Sequence, residues 1–298
     1  MAGCKSLSGK GKTVMVEGIF TYGRMIKFGH SIFALPFALS GAALAAAGYG
    51  ISSEQVFWIV VAMVGARSAA MGFNRLVDRK MDAANPRTAN RELPQGVISA
   101  GAVKVFVCVF SALLVFAAYK LNPLCLMLSP VALGIVFFYS YTKRFTWTTQ
   151  LFLGLALSLA PVGAWIAVTG QLDAKILLLG GAVLMWVAGF DVIYACQDAE
   201  FDRRFGVYSI PQKFGIGPAL WIARLFHVIA FGLMVGVGQV FELGVFYVAG
   251  VACVGGLLIY EHYLVRHRDL SKAGMASLTM NGVVSVVYFV GTLADLLL

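Results

Sequence analysis

The chain has 298 residues, 60% of them hydrophobic and only 12% charged, with a mean hydropathy of +0.84, a balance that excludes an ordinary soluble domain. Its formal net charge is +9, yet the basic residues fall in short clusters between apolar runs, which is a membrane-topology pattern and not a nucleic-acid surface. Five scattered cysteines (Cys4, Cys108, Cys125, Cys196, Cys253) lack metal-ligand spacing and read as small core residues, neither disulfides nor ligands.

Taken in order, residues 1–29 read as a basic, cytoplasmic N-terminal tail with no cleavable signal peptide. Residues 30–298 then read as one all-α, multi-pass membrane domain. A first helix at about 30–50 carries Pro36 as a kink, and apolar segments follow at about 55–77, 101–120, 122–140, 149–169, 175–195, 218–240, 244–265 and 274–297, each near the 20 or so residues a bilayer needs. Nine transmembrane helices around a central cavity are expected. With the N-terminus inside, one face receives the tail, the 78–99 loop, Lys143-Arg144, the 197–217 loop and the 266–272 turn with Arg266, Arg268 and Lys272. The other face receives only Lys120 and Lys175 as basic residues, so the N-terminus is predicted to be cytoplasmic and the C-terminus outside, in the cell (inner) membrane.

Two acidic clusters close helices two and six on the cytoplasmic side. In the first, Asn74, Asp78 and Asp82 stand four apart and share one helical stripe; in the second, Asp198 and Asp202 repeat that spacing, with Asp191 deeper on the same face. Like charges at this spacing ask for a neutralising cation, and Mg²⁺, which takes one or two carboxylates plus substrate phosphate, suits them. Arg67 lies two turns below Asn74; it and Asp191 read either as cavity-lining groups or as an intramembrane ion pair. Two Mg²⁺ ions ringed by Arg87, Arg91, Lys143, Arg203 and Arg204 describe a diphosphate site, although Arg203 and Arg204 also read as topology determinants. At the mouth of an apolar helical cavity, such a site fits a prenyl diphosphate, whose allylic cation could be stabilised by aromatic faces among Phe137, Phe138, Tyr139, Tyr141 and Tyr194.

Four ordered motifs carry a resemblance that covers nearly the whole chain. Asn74-x3-Asp78-x3-Asp82, Arg87-Thr88-x-Asn90-Arg91-x-Leu93-Pro94-x-Gly96, Tyr139-Ser-Tyr-Thr-Lys143-Arg144 and Asp191-x2-Tyr194-x2-Gln197-Asp198-x3-Asp202 together resemble the UbiA-type intramembrane aromatic prenyltransferases. The resemblance implies nine helices around a cavity open to lipid, and Mg²⁺-dependent transfer of a polyprenyl chain to an aromatic ring carbon. It implies Asp78, Asp82, Asp198 and Asp202 as metal ligands, and Asn74, Lys143, Arg87 and Arg91 as diphosphate contacts. Arg67, Asp191, Tyr139 and Tyr194 would form the deeper catalytic lining where acceptor and allylic carbon meet. Many members have Asp where this chain has Arg75, a position off the Asn74/Asp78/Asp82 face.

The run from Asp191 to Lys213, with Ser209-Ile210-Pro211, looks closest to bacterial 4-hydroxybenzoate polyprenyltransferases and to relatives acting on a dihydroxynaphthoate in menaquinone formation. The implied function is thus prenylation of 4-hydroxybenzoate in ubiquinone biosynthesis, with the naphthoate as alternative; polyprenyl diphosphate, the aromatic acid and membrane lipid are the partners. No protein partner is inferred. A membrane anion transporter is the competing class, but no inverted repeat of broken helices is visible, and transport needs no two paired aspartate clusters on one face.

Overall fold

The structure is a computed structural model that describes residues 21–26, 34–265, 269–270 and 272–298. The greater part of the expected tail, residues 30–33 of the first expected helix, and Arg266 and Arg268 of the last basic turn lie outside the described residues.

Helices occupy each of the nine expected positions. They are α1 (Leu35–Tyr49), α2 (Ser53–Ala84), α3 (Ala100–Leu121), α4 (Pro123–Thr142), α5 (Thr149–Thr169), α6 (Ala174–Ala195), and, after two short helices α7 (Ala199–Phe205) and α8 (Ile210–Phe214), α9 (Ile216–Val240), α10 (Val245–Leu264) and α11 (Asn281–Leu297). Eight of the nine segments are long and apolar enough to cross a bilayer, which makes this an integral membrane protein; the described part of α1, at 15 residues, is shorter. Pro36 falls in the first turn of α1, where its missing N–H leaves no helical bond unmade, so among the described residues it starts a helix instead of kinking one.

The boundaries follow local chemistry. Ser52 and Gln55 form a reciprocal capping box that opens α2. Asn122 separates α3 from α4, accepting from the Cys125 amide at 2.8 Å and donating to the Ile166 carbonyl at 2.8 Å, so the Asn-Pro break also fastens α5. Gly206 ends α7 at φ 70°, a left-handed conformation that costs a residue without Cβ little. The main departure from the expected boundaries is α2, which continues past the apolar segment ending near 77 and runs 32 residues to Ala84, carrying the first aspartate cluster on unbroken helix as the four-residue spacing implies. The charges there meet cations from other elements, which removes the repulsion that would otherwise fray the turn.

Helices α2 to α5 pack in sequence, α6 lies against α5 and α9, and α11 bridges α10 and α1. The most enclosed span is α6. Two close approaches fix its neighbours: a Cβ on Gly41 would stand 2.3 Å from the Pro161 carbonyl oxygen, and one on Gly154 would stand 2.3 Å from that of Leu184, so α1, α5 and α6 meet backbone to backbone. A buried chain from Trp186 Nε1 to Asn281 Oδ1 (2.5 Å) and from Asn281 Nδ2 to Glu261 Oε1 (2.8 Å) ties α6, α11 and α10. Large apolar side chains such as Trp221, Val228 and Ile259 face outward, as a lipid-facing surface requires. The four described cysteines are free.

Met25 and Ile26 are buried among Leu76, Ile98, Val103 and Val107, and Tyr22 stacks on Phe106 with ring centres 5.2 Å apart. Residues 21–26 therefore pack on α2 and α3.

Candidate active site

The extension of α2 brings Asn74, Asp78 and Asp82 to one end of the bundle. Asn74 Nδ2 donates to Asp78 Oδ2 at 2.9 Å, and the Lys143 ammonium, at the end of α4, pairs with the same oxygen. Arg144 Nη2 donates to the other Asp78 oxygen at 3.1 Å. Asp82 takes a hydrogen bond from Arg91 Nη1 at 2.6 Å on Oδ1, while its Oδ2 is buried without a hydrogen-bond partner and lies 3.8 Å from Arg75 Nη1.

The loop after α2 reaches across to the second cluster. Asn85 Nδ2 and Arg87 Nε donate to Asp198 Oδ1 at 3.1 and 2.9 Å, a second Arg87 nitrogen pairs with Asp198 Oδ2, and the Arg87 guanidinium lies 4.8 Å from the centre of the Tyr194 ring. Partial burial of Arg87 opposes its charge, but its bonds to Asp198 and the proximity of Tyr194 outweigh that and raise its pKa above the ordinary arginine value. Asp202 accepts from Ser209 Oγ at 2.9 Å, and the Tyr208 amide donates to the Lys143 carbonyl at 2.8 Å, which joins the second loop to α4.

These side chains border a polar cavity of about 320 Å³. All twelve expected site residues reach its wall: Arg67, Asn74, Asp78, Asp82, Arg87, Arg91, Tyr139, Lys143, Asp191, Tyr194, Asp198 and Asp202. Arg203 and Arg204 do not; Arg204 pairs instead with exposed Glu200. Of the five aromatics considered, Phe137, Phe138 and Tyr141 lie off the wall, with Phe137 stacked on Phe73 at 4.4 Å. No ion pair joins Arg67 to Asp191 among the described residues, and Arg67 Nε is buried without a hydrogen-bond partner.

Sequence reasoning missed Arg75, Asn85, Ser140, Gln150, Phe190 and Ser209, all on the same wall. Arg75 was legible, because position 75 stands seven before Asp82 and so shares its stripe. Ser209 bore the mark of a helix cap, and the other four depend on tertiary packing.

A second cavity, about 240 Å³ and lined by apolar residues of α1 to α5, adjoins the first. Arg67, Met71, Tyr139, Leu153 and Leu157 line both. The donor set in the polar cavity is all oxygen, which suits a hard cation, and Asp82 Oδ2 is a buried acceptor without a hydrogen bond. Among the described residues no three carboxylate, imidazole or thiol groups converge on one point; Asp78 and Asp198 are turned onto Lys143, Arg144 and Arg87.

Fold and site together define a helical membrane enzyme whose charged cup opens onto an apolar cavity. Residues 34–283 match the UbiA prenyltransferase family, and the chain belongs to that family. It is 35% identical over 257 residues (84% of this chain, 88% of the relative) to the 4-hydroxybenzoate octaprenyltransferase of Vibrio parahaemolyticus serotype O3:K6. Among solved structures it is similar to a UbiA homolog from Aeropyrum pernix K1, in its apo form, with TM-score 0.82 and 32% identity over 90% of this chain and 98% of that one. A UbiA homolog from Archaeoglobus fulgidus, solved bound to GPP and Mg²⁺, shares the fold with TM-score 0.69 at 20% identity, over 93% of this chain and 100% of that one.

Proposed function

We propose that this prenyltransferase transfers a polyprenyl group from polyprenyl diphosphate to a ring carbon of 4-hydroxybenzoate, with Mg²⁺, in ubiquinone biosynthesis. One observation carries the reading: a polar cavity rich in aspartate, arginine and lysine meets an apolar cavity across Arg67, Met71, Tyr139, Leu153 and Leu157. A substrate with an anionic head and a long apolar tail matches that pair of compartments. The name of the Vibrio relative supports the choice of acceptor.

Asp78 and Asp82 on α2 and Asp198 and Asp202 beyond α6 would hold Mg²⁺. Bound there, the metal would neutralise the charge that develops on the leaving diphosphate. Asn74, Lys143, Arg87 and Arg91 contact the diphosphate: the cations now paired with Asp78, Asp82 and Asp198 exchange those carboxylates for phosphate oxygens. Arg67, half-buried at the junction with a buried, unbonded Nε, takes the carboxylate of the acid. Asp191, one turn from Tyr194 on the cavity wall, accepts a hydrogen bond from the acceptor hydroxyl. Tyr139 and Tyr194 present aromatic surface beside the electron-poor allylic carbon, and the apolar wall keeps water from it.

The basic loops flanking both clusters support a cytoplasmic site in the inner membrane, with the N-terminal tail (1–29) inside and nine spans, α1 included, in the domain 30–298. Purified protein with Mg²⁺ and a labelled polyprenyl diphosphate, supplied in parallel with 4-hydroxybenzoate or a dihydroxynaphthoate, tests the reading. Prenylated benzoate is the expected product. Product from the naphthoate alone moves the enzyme to menaquinone formation, and product from neither overturns the proposed acceptor class.

A further inference from the structure

Among the cations of the polar cavity, Arg75 is the one that the sequence resemblance places off the aspartate face. Arg75 is 4% exposed, borders the cavity, donates from Nε to the Met25 carbonyl oxygen at 3.1 Å and sets Nη1 3.8 Å from Asp82 Oδ2. That oxygen has no hydrogen bond of its own, whereas Asp82 Oδ1 is taken by Arg91. Asp82 therefore sits between two guanidiniums of different kinds. Arg91 comes from the loop and Lys143 from the end of α4, with side chains 20% and 27% exposed, so both can turn towards an incoming anion. Arg75 belongs to the helix itself, its side chain is 5% exposed, and its Nε is tied to the Met25 carbonyl.

A guanidinium stays charged under these conditions, and burial keeps salt from screening it. Its position then has two electrostatic consequences of opposite sign: it attracts a phosphate group entering the cavity, and it opposes a second cation seeking the same Asp82 carboxylate.

We propose that Arg75 is a fixed cation of the anion site, strengthening diphosphate binding and weakening metal binding at Asp82, so that the chain itself supplies part of the positive charge a diphosphate requires. The proposal rests on the diphosphate reading given above. It also gives the packed segment 21–26 a purpose, since the Met25 carbonyl holds the guanidinium in place.

The test uses the full chain in detergent and does not depend on turnover. Inorganic diphosphate binding in EDTA is followed by calorimetry, and Mn²⁺ binding by electron paramagnetic resonance, for wild type, Arg75→Gln and Arg75→Lys. Arg75→Gln is expected to weaken diphosphate binding and to tighten Mn²⁺ binding, each by between about tenfold and a thousandfold, the range one unit charge about 4 Å away spans between the dielectric of water and an intermediate one. Arg75→Lys, which keeps the charge, is expected to return both constants towards wild type. Constants unchanged in Arg75→Gln, or weakened together as general loss of structure would cause, overturn the proposal. So does Arg75→Lys behaving like Arg75→Gln, because the Met25 contact and not the charge would then matter. Wild type that binds neither diphosphate nor Mn²⁺ removes the diphosphate reading and the proposal with it, whereas wild-type binding that Arg75→Gln leaves unaltered removes the Arg75 proposal alone.

Discussion

Asp78 is 1% exposed and shares its two oxygens among Asn74, Lys143 and Arg144, so it is the charge on which the first cluster is assembled. Asp78→Ala should reduce turnover to background, and Asp198→Ala, which strips Arg87 of its carboxylate, should do the same. Both variants should remain folded in the membrane, which size-exclusion profiles in detergent would check; activity near wild type in either would remove the paired-cluster reading. Arg67 predicts a different signature. Because it stands at the junction of the cavities and not among the aspartates, Arg67→Ala should raise KM for the aromatic acid by about tenfold or more, the scale of one charge-assisted hydrogen bond. An unchanged KM for the acid would deny it that role. Most residues of the site were legible at this scale, since four-residue spacing and charges inside apolar runs name their own face and depth. Arg75 lies off the face of its neighbour Asn74 but two turns before Asp82, so its place on the Asp82 side follows from the seven-residue spacing. Phe190 gave no signal at all: an aromatic in an apolar helix looks the same whether it packs or lines a cavity.

Among the elements, α2 differs most from its reading. Apolar character ends near Val77, so a hydropathy argument stops the helix there, but helix continuation depends on whether the following charges find partners, and those partners come from α4 and the next loop. Tertiary ion pairs are invisible to a count along one segment. The break at Asn122-Pro123, by contrast, was legible, since an N-cap residue before proline at the first position carries its own local chemistry. The contact of α5 with α6 predicts a stability effect independent of the site. Gly154→Val puts a branched side chain against the Leu184 carbonyl and should destabilise the bundle by about 2 kcal/mol or more, seen as a lowered midpoint of thermal unfolding in detergent. A midpoint equal to wild type would mean that the two helices can separate at little cost.

For the molecule as a whole, the proposed cytoplasmic site predicts on which side of the membrane each loop lies. In a cysteine-free background, Gln95→Cys should react with a membrane-impermeant maleimide only when the cytoplasmic face is open, and Gln171→Cys, in the turn after α5, only from the opposite face. Reaction of both from one side would contradict the topology. The positions and order of eight apolar helices were legible because bilayer thickness sets a minimum length on every span. How those helices close around two cavities was not, because it depends on contacts between residues far apart in the chain, such as Gly41 with Pro161. The five residues common to both cavities have a practical consequence as well. A surfactant with a phosphate head and one alkyl chain has the same division into anion and oil as the space on either side of Arg67, so it competes for that space during solubilisation. Sugar-headed surfactants lack the anion and leave the charged compartment free, and the apparent affinity measured for any anionic lipid substrate will depend on which of the two was used to extract the protein.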